Sequence, residues 1–170
     1  MDTKHPEIQI EDMRFVNRIN IAVNDGSRPE DLYHVVSDVA RNLFHCTGAN
    51  IYILDEAKSV LRLASTGIAD GLIPAVEKLI GGKLPTIQVE LADSKEFPRL
   101  LVEHGPQVIN DKPTIMRLME ENTRNPHLKK LVPKVFNMIR AFSVVSVTLF
   151  AKNEPVGMLM LGREEPFTPA

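Results

Sequence analysis

The fold is decided between Ala141 and Gly162, where "AFSVVSVTLF" (141–150), "AKNE" (151–154) and "PVGMLMLG" (155–162) follow one another. Two apolar runs, the first rich in β-branched residues, flank a short polar connection. That pattern reads as a long β-hairpin. Both runs are apolar on alternate positions as well as adjacent ones, so they read as central strands buried on at least one face.

Upstream, "ANIYILDEAKSVLRLAST" repeats the design at 49–66. Apolar runs at 49–54 and 60–66 enclose "DEAKS", a hairpin signal with a loop of about five residues. Between the two hairpins lie shorter elements. A helix is expected at about 71–80, stopped by Gly81-Gly82, then a half-buried strand in "TIQVEL" (86–91). "FPRLLVEHG" reads as a short helix and "QVIN" (107–110) as a short strand. Pro113 suits the first turn of "PTIMRLMEEN". Asn125-Pro126 reads as an N-cap and first helical position opening "PHLKKLVPKVFNMIR", with Pro133 predicting a break or kink.

Two amphipathic helices precede all of this. Met13, Val16 and Val23, widened by Phe15, Ile19 and Ala22, repeat at near-helical spacing, and "NDG" (24–26) ends that stretch. Ser27 and Glu30 form a capping box for the second helix, with Leu32, Val35, Val36, Val39, Leu43 and Phe44 as its buried stripe. The expectation is one α+β domain over residues 1–170. Its antiparallel sheet has about five to six strands, with N-terminal helices on one face and short helices and loops over the other.

Composition narrows the function. The chain has 170 residues, 44% hydrophobic and 25% charged, with a net charge of −2. A global basic field for nucleic acid is missing, and with 5% aromatics and no Trp so are stacking platforms. No apolar stretch approaches the roughly 20 residues of a membrane span. "MDTKHPEIQIED" is polar and acidic, unlike a signal peptide. A single cysteine, Cys46, excludes an internal disulfide and CxxC chemistry, and a cytoplasmic protein is the simplest reading.

These segments together resemble a GAF domain, the small-molecule sensor module of histidine kinases and cyclases, over about residues 10 to 169. "LYHVVSDVARNLFHCTGANIYILDEAKSVLRLAST" is similar to the family's helix and first hairpin, and "HGPQVIND" to its short fourth strand and following loop. In "FSVVSVTLFAKNEPVGMLMLGREEPFT", Ser143, Val147, Leu149, Gly157, Leu159, Leu161 and Phe167 fill the family's pattern, while Thr148 replaces its usual proline. The resemblance implies a C-terminal helix after Phe167, for which Thr168-Pro169 would be the cap. The chain is therefore expected to be a piece of a longer signalling protein, such as a histidine kinase of a two-component system. The first helix, without that neighbour, is expected to form a homodimer.

The same resemblance implies a ligand pocket between the sheet and the cover at about 68–140. Phe97, Asn110, Met116, Met119, Phe136 and Ser146 are expected to point into it. Met138, Met158 and Met160 join Met116 and Met119 as thioethers that either line an adaptable pocket or fill core. Haem-binding members use a side-chain ligand; His127 is the first candidate and His104 the second, although each also reads as a solvent-facing histidine. No histidine pair has HxxxH or HxH spacing for a metal. A bilin is not expected, because Cys46 stands away from the tethering position of bilin-binding members. A GAF-fold methionine sulfoxide reductase needs several cysteines.

Neither "GIADG" nor "LIGGK" is a P-loop. Asn110, Asp111 and Lys112 begin the cyclic-nucleotide motif of the family, but its Phe–Asp–Glu continuation does not follow. Between Glu121 and Glu154 there is no acidic residue, while Arg124, Lys129, Lys130, Lys134, Arg140 and Lys152 carry six positive charges. That asymmetry suggests an anionic ligand, or else a solvated helix face over inward Leu128, Leu131, Val132, Val135 and Phe136. Three functions follow: a non-catalytic sensory module with a small-molecule ligand, a dimerisation or spacer module without one, and a GAF-fold enzyme, for which no nucleophile or metal set is seen.

Overall fold

The structure is a computed structural model that describes residues 17, 19–21, 24–26, 28–69 and 71–167. Its centre is a six-stranded antiparallel sheet in the order β3-β2-β1-β6-β5-β4, with helices on both faces. The strands are β1 (Gly48–Leu54), β2 (Val60–Ile68), β3 (Gln88–Glu90), β4 (Gln107–Ile109), β5 (Ser143–Ala151) and β6 (Glu154–Arg163). The helices are α1 (Pro29–Leu43), α2 (Leu72–Ile80), α3 (Glu96–Leu101), α4 (Lys112–Glu121) and α5 (Pro126–Ile139).

The β5–β6 hairpin holds the sheet together, because β6 pairs with both β5 and β1. Lys152 and Asn153 form its two-residue turn with φ of 50° and 64°. Positive φ at both positions is the turn whose twist matches the flanking strands. The β1–β2 loop is closed by Asp55, whose carboxylate accepts the backbone N–H of Ser59 at 2.7 Å and of Val60 at 3.0 Å. Those hydrogen bonds hold the Asp55 carboxyl below its ordinary range.

A bulge sets which residues of β2 face which way. Ile51 pairs with Ser65 and Tyr52 with Leu63, so Ala64 is the extra residue. It shifts the alternation by one. Leu61 and Leu63 face the same side as Tyr52, and beyond the bulge Thr66 and Ile68 face that side too. Ser65 and Gly67 turn to the other side, where α1 lies. There the Ser37 and Ser65 hydroxyls meet at 2.8 Å, and Ser65 meets His34 Nδ1 at 3.0 Å. A Cβ at Gly67 would stand 3.1 Å from the Ser37 carbonyl, so this glycine lets helix and strand touch.

The core is divided by the sheet. The larger part joins Tyr52, Leu61, Val89, Phe97, Leu100, Ile115, Leu118, Phe136 and Met158 under α3, α4 and α5. The smaller joins Ala40, Cys46, Ala49 and Leu161 beneath α1. α3 has no capping side chain of its own. The Glu121 carboxylate at the end of α4 accepts the backbone N–H groups of Lys95 at 2.8 Å and Glu96 at 3.2 Å, placing a negative charge at the positive end of that helix. Glu96 itself takes Arg117 at 2.8 Å and Arg99 at 3.0 Å.

Four local expectations change. α1 starts at Pro29 with Arg28 as N-cap and no side-chain cap, and Ser27 lies outside the described residues. Phe44 is not buried: it follows the helix and is 44% exposed. The third strand covers only Gln88–Glu90, because Leu91–Asp93 closes into a 3-10 turn. α5 runs through Pro133 without interruption. Proline there loses one backbone hydrogen bond, but its ring is exposed while Val132 and Phe136 bury on the other side. The first helix is described only at 17, 19–21 and 24, all helical; Met13, Phe15, Val16 and the Thr168-Pro169 cap lie outside the described residues.

Candidate functional site

A cavity of about 510 Å³ lies on the larger-core side of the sheet, where β1, β2 and β6 meet α2, α4 and α5. Its walls are two neighbouring apolar helix faces that stand over the sheet. Leu72, Ile73, Val76 and Ile80 of α2 form one wall, and Leu128, Val132, Val135 and Ile139 of α5 the opposite one. The spacing of these residues, three or four apart, is what aligns each set on one helix face. α2 is ended by Gly81 at φ 76°, after which Leu84, Pro85, Thr86 and Ile87 border the cavity on their way into β3. The floor is the sheet: Gly48, Asn50 and Tyr52 of β1, Leu63, Thr66 and Ile68 of β2, and Met160 of β6.

The polar side chains are few, and apart from Thr86 and Thr123 they occur in two pairs. The Thr66 hydroxyl donates to Asn50 Oδ1 at 2.7 Å, side by side across the β1–β2 ladder. The Tyr52 hydroxyl donates to Asn122 Oδ1 at 3.1 Å, where α4 ends. Burial pushes the Tyr52 phenol up to about 12 against the opposing effect of Asn122, so it stays protonated and remains a donor. Among the described residues no Asp, Glu, Lys, Arg or His lines the cavity. Lys129, Lys130 and Lys134 of α5 are exposed on the face opposite its cavity-lining residues. Arg124 is held by Asp93 at 2.7 Å and Arg140 pairs with Glu164. The basic span is therefore a solvated surface, and it supplies no cation to the cavity.

Of the six expected pocket residues, two line this cavity. Phe97 packs edge-on against Tyr52 with ring centroids 5.4 Å apart, and Met119 faces in from α4. The other four are elsewhere. Phe136 is in the core against Phe142 at 5.1 Å, and Met116 packs on that core. Asn110 donates to the Phe167 carbonyl at 3.3 Å and accepts from Ser143, which fastens the end of the sheet. Ser146 is buried within β5 between β4 and β6, and its hydroxyl has no protein partner among the described residues. The two candidate haem ligands are also away from the cavity. His127 is exposed at the start of α5, and His104 stacks on Phe150 at 4.6 Å. Neither histidine is among the residues that line the cavity.

Cys46 is buried with Ala40, Ala49 and Leu161, and burial pushes its thiol up to about 11. It is not among the cavity residues. Among the described residues no three His, Cys, Asp or Glu side chains converge on a metal position, and no helix is long and apolar enough to cross a membrane. The residues missed from the sequence are Asn50, Tyr52, Thr66 and Asn122. A polar Asn50 inside the apolar run "ANIYIL" was the available signal, because asparagine is disfavoured in strands unless something uses it.

No family model and no curated protein sequence matches the chain. Solved structures do. The phycoerythrobilin-bound GAF domain of a cyanobacterial phytochrome is 14% identical with a TM-score of 0.61, over 93% of this chain and 83% of that one. The GAF domain of a phosphoenolpyruvate-protein phosphotransferase from Acinetobacter is 12% identical with a TM-score of 0.59, over 96% and 80%. A free methionine-R-sulfoxide reductase from Neisseria meningitidis is 12% identical with a TM-score of 0.59, over 98% and 80%. At such identities the likeness is one of architecture: the chain has the GAF fold.

Proposed function

We propose that this is a non-catalytic sensory module of a larger cytoplasmic signalling protein, such as a histidine kinase. It takes a small molecule in the cavity and passes its occupancy on through the terminal helices of a homodimer. The observation that carries the reading is the cavity itself: largely apolar, of a size suited to a small ligand, with a few convergent polar side chains. A spacer module would fill that space with its own side chains. The Acinetobacter neighbour, a GAF domain of a phosphotransferase, gives a precedent for the fold inside a larger protein.

Absence of catalysis is supported by the cavity lining, which among the described residues holds no thiol, histidine or carboxylate to act as nucleophile or base. The lone buried Cys46 is a poor thiolate, unlike the redox cysteines a sulfoxide reductase needs. A bilin or haem brings propionate charges, for which the lining offers no cation. Phe97 and Met119 remain as proposed ligand contacts. Ile21, helical and 52% exposed, supports the first helix as the dimer face.

Native mass spectrometry of the purified protein beside its visible spectrum tests the reading. A retained non-protein mass released by denaturation is the expected result. A protein that leaves purification at its bare mass, and whose melting temperature moves with no compound of a small-molecule library, would refute the sensor. Sedimentation of a monomer at high concentration would refute the dimer.

A further inference from the structure

We infer that the cavity selects an uncharged, mainly hydrocarbon ligand bearing acceptor oxygens, held by the side-chain N–H groups of Asn50 and Asn122. This rests on the sensory reading above and narrows its ligand. The first observation is that the lining is uncharged among the described residues. A carboxylate, phosphate or ammonium entering the cavity would lose water and meet no counterion among the described residues, which weakens its binding. The basic residues nearby are exposed on the far side of α5 or already paired, so they do not relieve it.

The second observation is how the polar groups are spent. Thr66 and Tyr52 donate their hydroxyl hydrogens to the Oδ1 atoms of Asn50 and Asn122. Each amide oxygen is thereby occupied, and each amide keeps two N–H donors with no protein partner among the described residues. An apolar molecule without acceptors would cover these donors and leave them unpaired; a ketone, ester or amide oxygen would satisfy them. Asn50 stands on β1 and Asn122 where α4 ends, held by the Tyr52 phenol two residues along the same face of β1, so the two amides form separate stations that an ester or amide oxygen can meet.

Isothermal titration of the full chain with three probes of one shape is the test: methyl 1-naphthoate, the 1-naphthoate anion and 1-methylnaphthalene. The ester is expected to bind at least about 10-fold more tightly than the anion, and about 3- to 10-fold more tightly than the hydrocarbon. Asn50→Leu combined with Asn122→Leu should erase the ester's advantage over the hydrocarbon while hydrocarbon binding, which reports an intact cavity, persists. The comparison on the unaltered chain decides the matter even if that variant does not fold. Tightest binding of the anion would overturn the ligand class and leave the sensory reading standing. Equal binding of ester and hydrocarbon would overturn the role of the two asparagines. Binding of no probe at about 1 mM, a weak limit for any specific site, would overturn the ligand class and the sensory reading together. Val76→Trp should block all three probes, and ester binding that survives it would place the ligand elsewhere and overturn the inference.

Discussion

Gly157 is where the structure permits least, and replacing it by alanine gives a prediction with a worked size. In β6 it pairs with Ile53 of β1 on one side and Leu149 of β5 on the other. A Cβ added there would sit 2.3 Å from the Tyr52 carbonyl oxygen and 3.3 Å from Ile53 Cα. Both are backbone atoms in the middle of the sheet, so no side chain can swing away. Restoring ordinary contact requires β1 and β6 to separate locally by about 1 Å, stretching the ladder between them. Overpacking in a rigid core costs about 1–3 kcal/mol, and a backbone clash belongs at or beyond the upper end. For a domain of this size about 3 kcal/mol lowers the melting temperature by about 6–12 °C. Urea unfolding of Gly157→Ala beside two controls isolates the cause. Gly162→Ala meets the Ala141 methyl at 2.9 Å and its Cα at 3.8 Å, a milder clash with a residue outside the strands, and should cost about 1–2 kcal/mol. Gly82→Ala meets nothing within 4 Å and has no positive φ, so it should be neutral or stabilising by up to about 1 kcal/mol. A Gly157→Ala protein within about 0.5 kcal/mol of the parent, the range of an ordinary surface change, would mean that β6 does not lie against β1 as described.

Three further substitutions or modifications have defined outcomes. At Glu96 burial opposes ionisation most strongly, yet the guanidiniums of Arg117 and Arg99 prevail and hold the carboxyl below its ordinary range. The stabilisation is therefore complete above the unfolded-state value and lost as pH falls through the lowered folded value. Glu96→Gln should cost about 1–2 kcal/mol at pH 7, with a deficit that shrinks on acidification below the usual glutamate range; a pH-independent deficit would refute the ion pair as its source. Cys46, with its thiol near 11, should react with a disulfide reagent at pH 8 about 100-fold more slowly than an exposed cysteine, and labelling within the mixing time would contradict its burial. Asn125 caps α5 by accepting the His127 N–H at 2.9 Å, and Asn125→Ala should cost about 1 kcal/mol by thermal unfolding; no change would show that the cap is idle.

The elements that were legible in the sequence are those whose signals are local. Asn125-Pro126 marks the start of α5, the "DEAKS" loop closes through Asp55, and the two apolar runs around Lys152-Asn153 make the sheet's longest hairpin. What escaped depends on partners far along the chain. Nothing near α3 foretells that Glu121, some twenty-five residues later, will cap it. The bulge at Ala64 is invisible because "LRLAST" alternates no worse with it than without it, yet it decides that Thr66 rather than Ser65 faces the cavity. That Asn110 and Ser146 do not line this cavity has the same origin: a strand's pattern shows that two faces differ, not which neighbour each face meets. Pro133 misleads in the opposite direction, since the burial of Val132 and Phe136 outweighs one lost backbone bond.

The bulge also determines what lies on either side of the cavity floor. Past Ala64, β2 is one strand thick between the cavity and α1. Thr66 and Ile68 line the cavity, while Ser65 and Gly67, alternating with them, touch α1 through the Ser37 hydroxyl and the Ser37 carbonyl. A strand cannot shift its cavity-facing residues and leave their neighbours in place, because adjacent residues share a peptide plane. The approach at Gly67 is close as well, since even a Cβ there would stand only 3.1 Å from the Ser37 carbonyl. Anything that displaces Thr66 or Ile68 by a few tenths of an ångström must therefore be absorbed by α1, or by the Ser37–Ser65–His34 hydrogen bonds that fasten it. Packed interfaces of this kind pass small displacements on rather than soak them up. The Ala64 bulge thus places a thin wall between the cavity and α1 at the end of β2 that the cavity reaches.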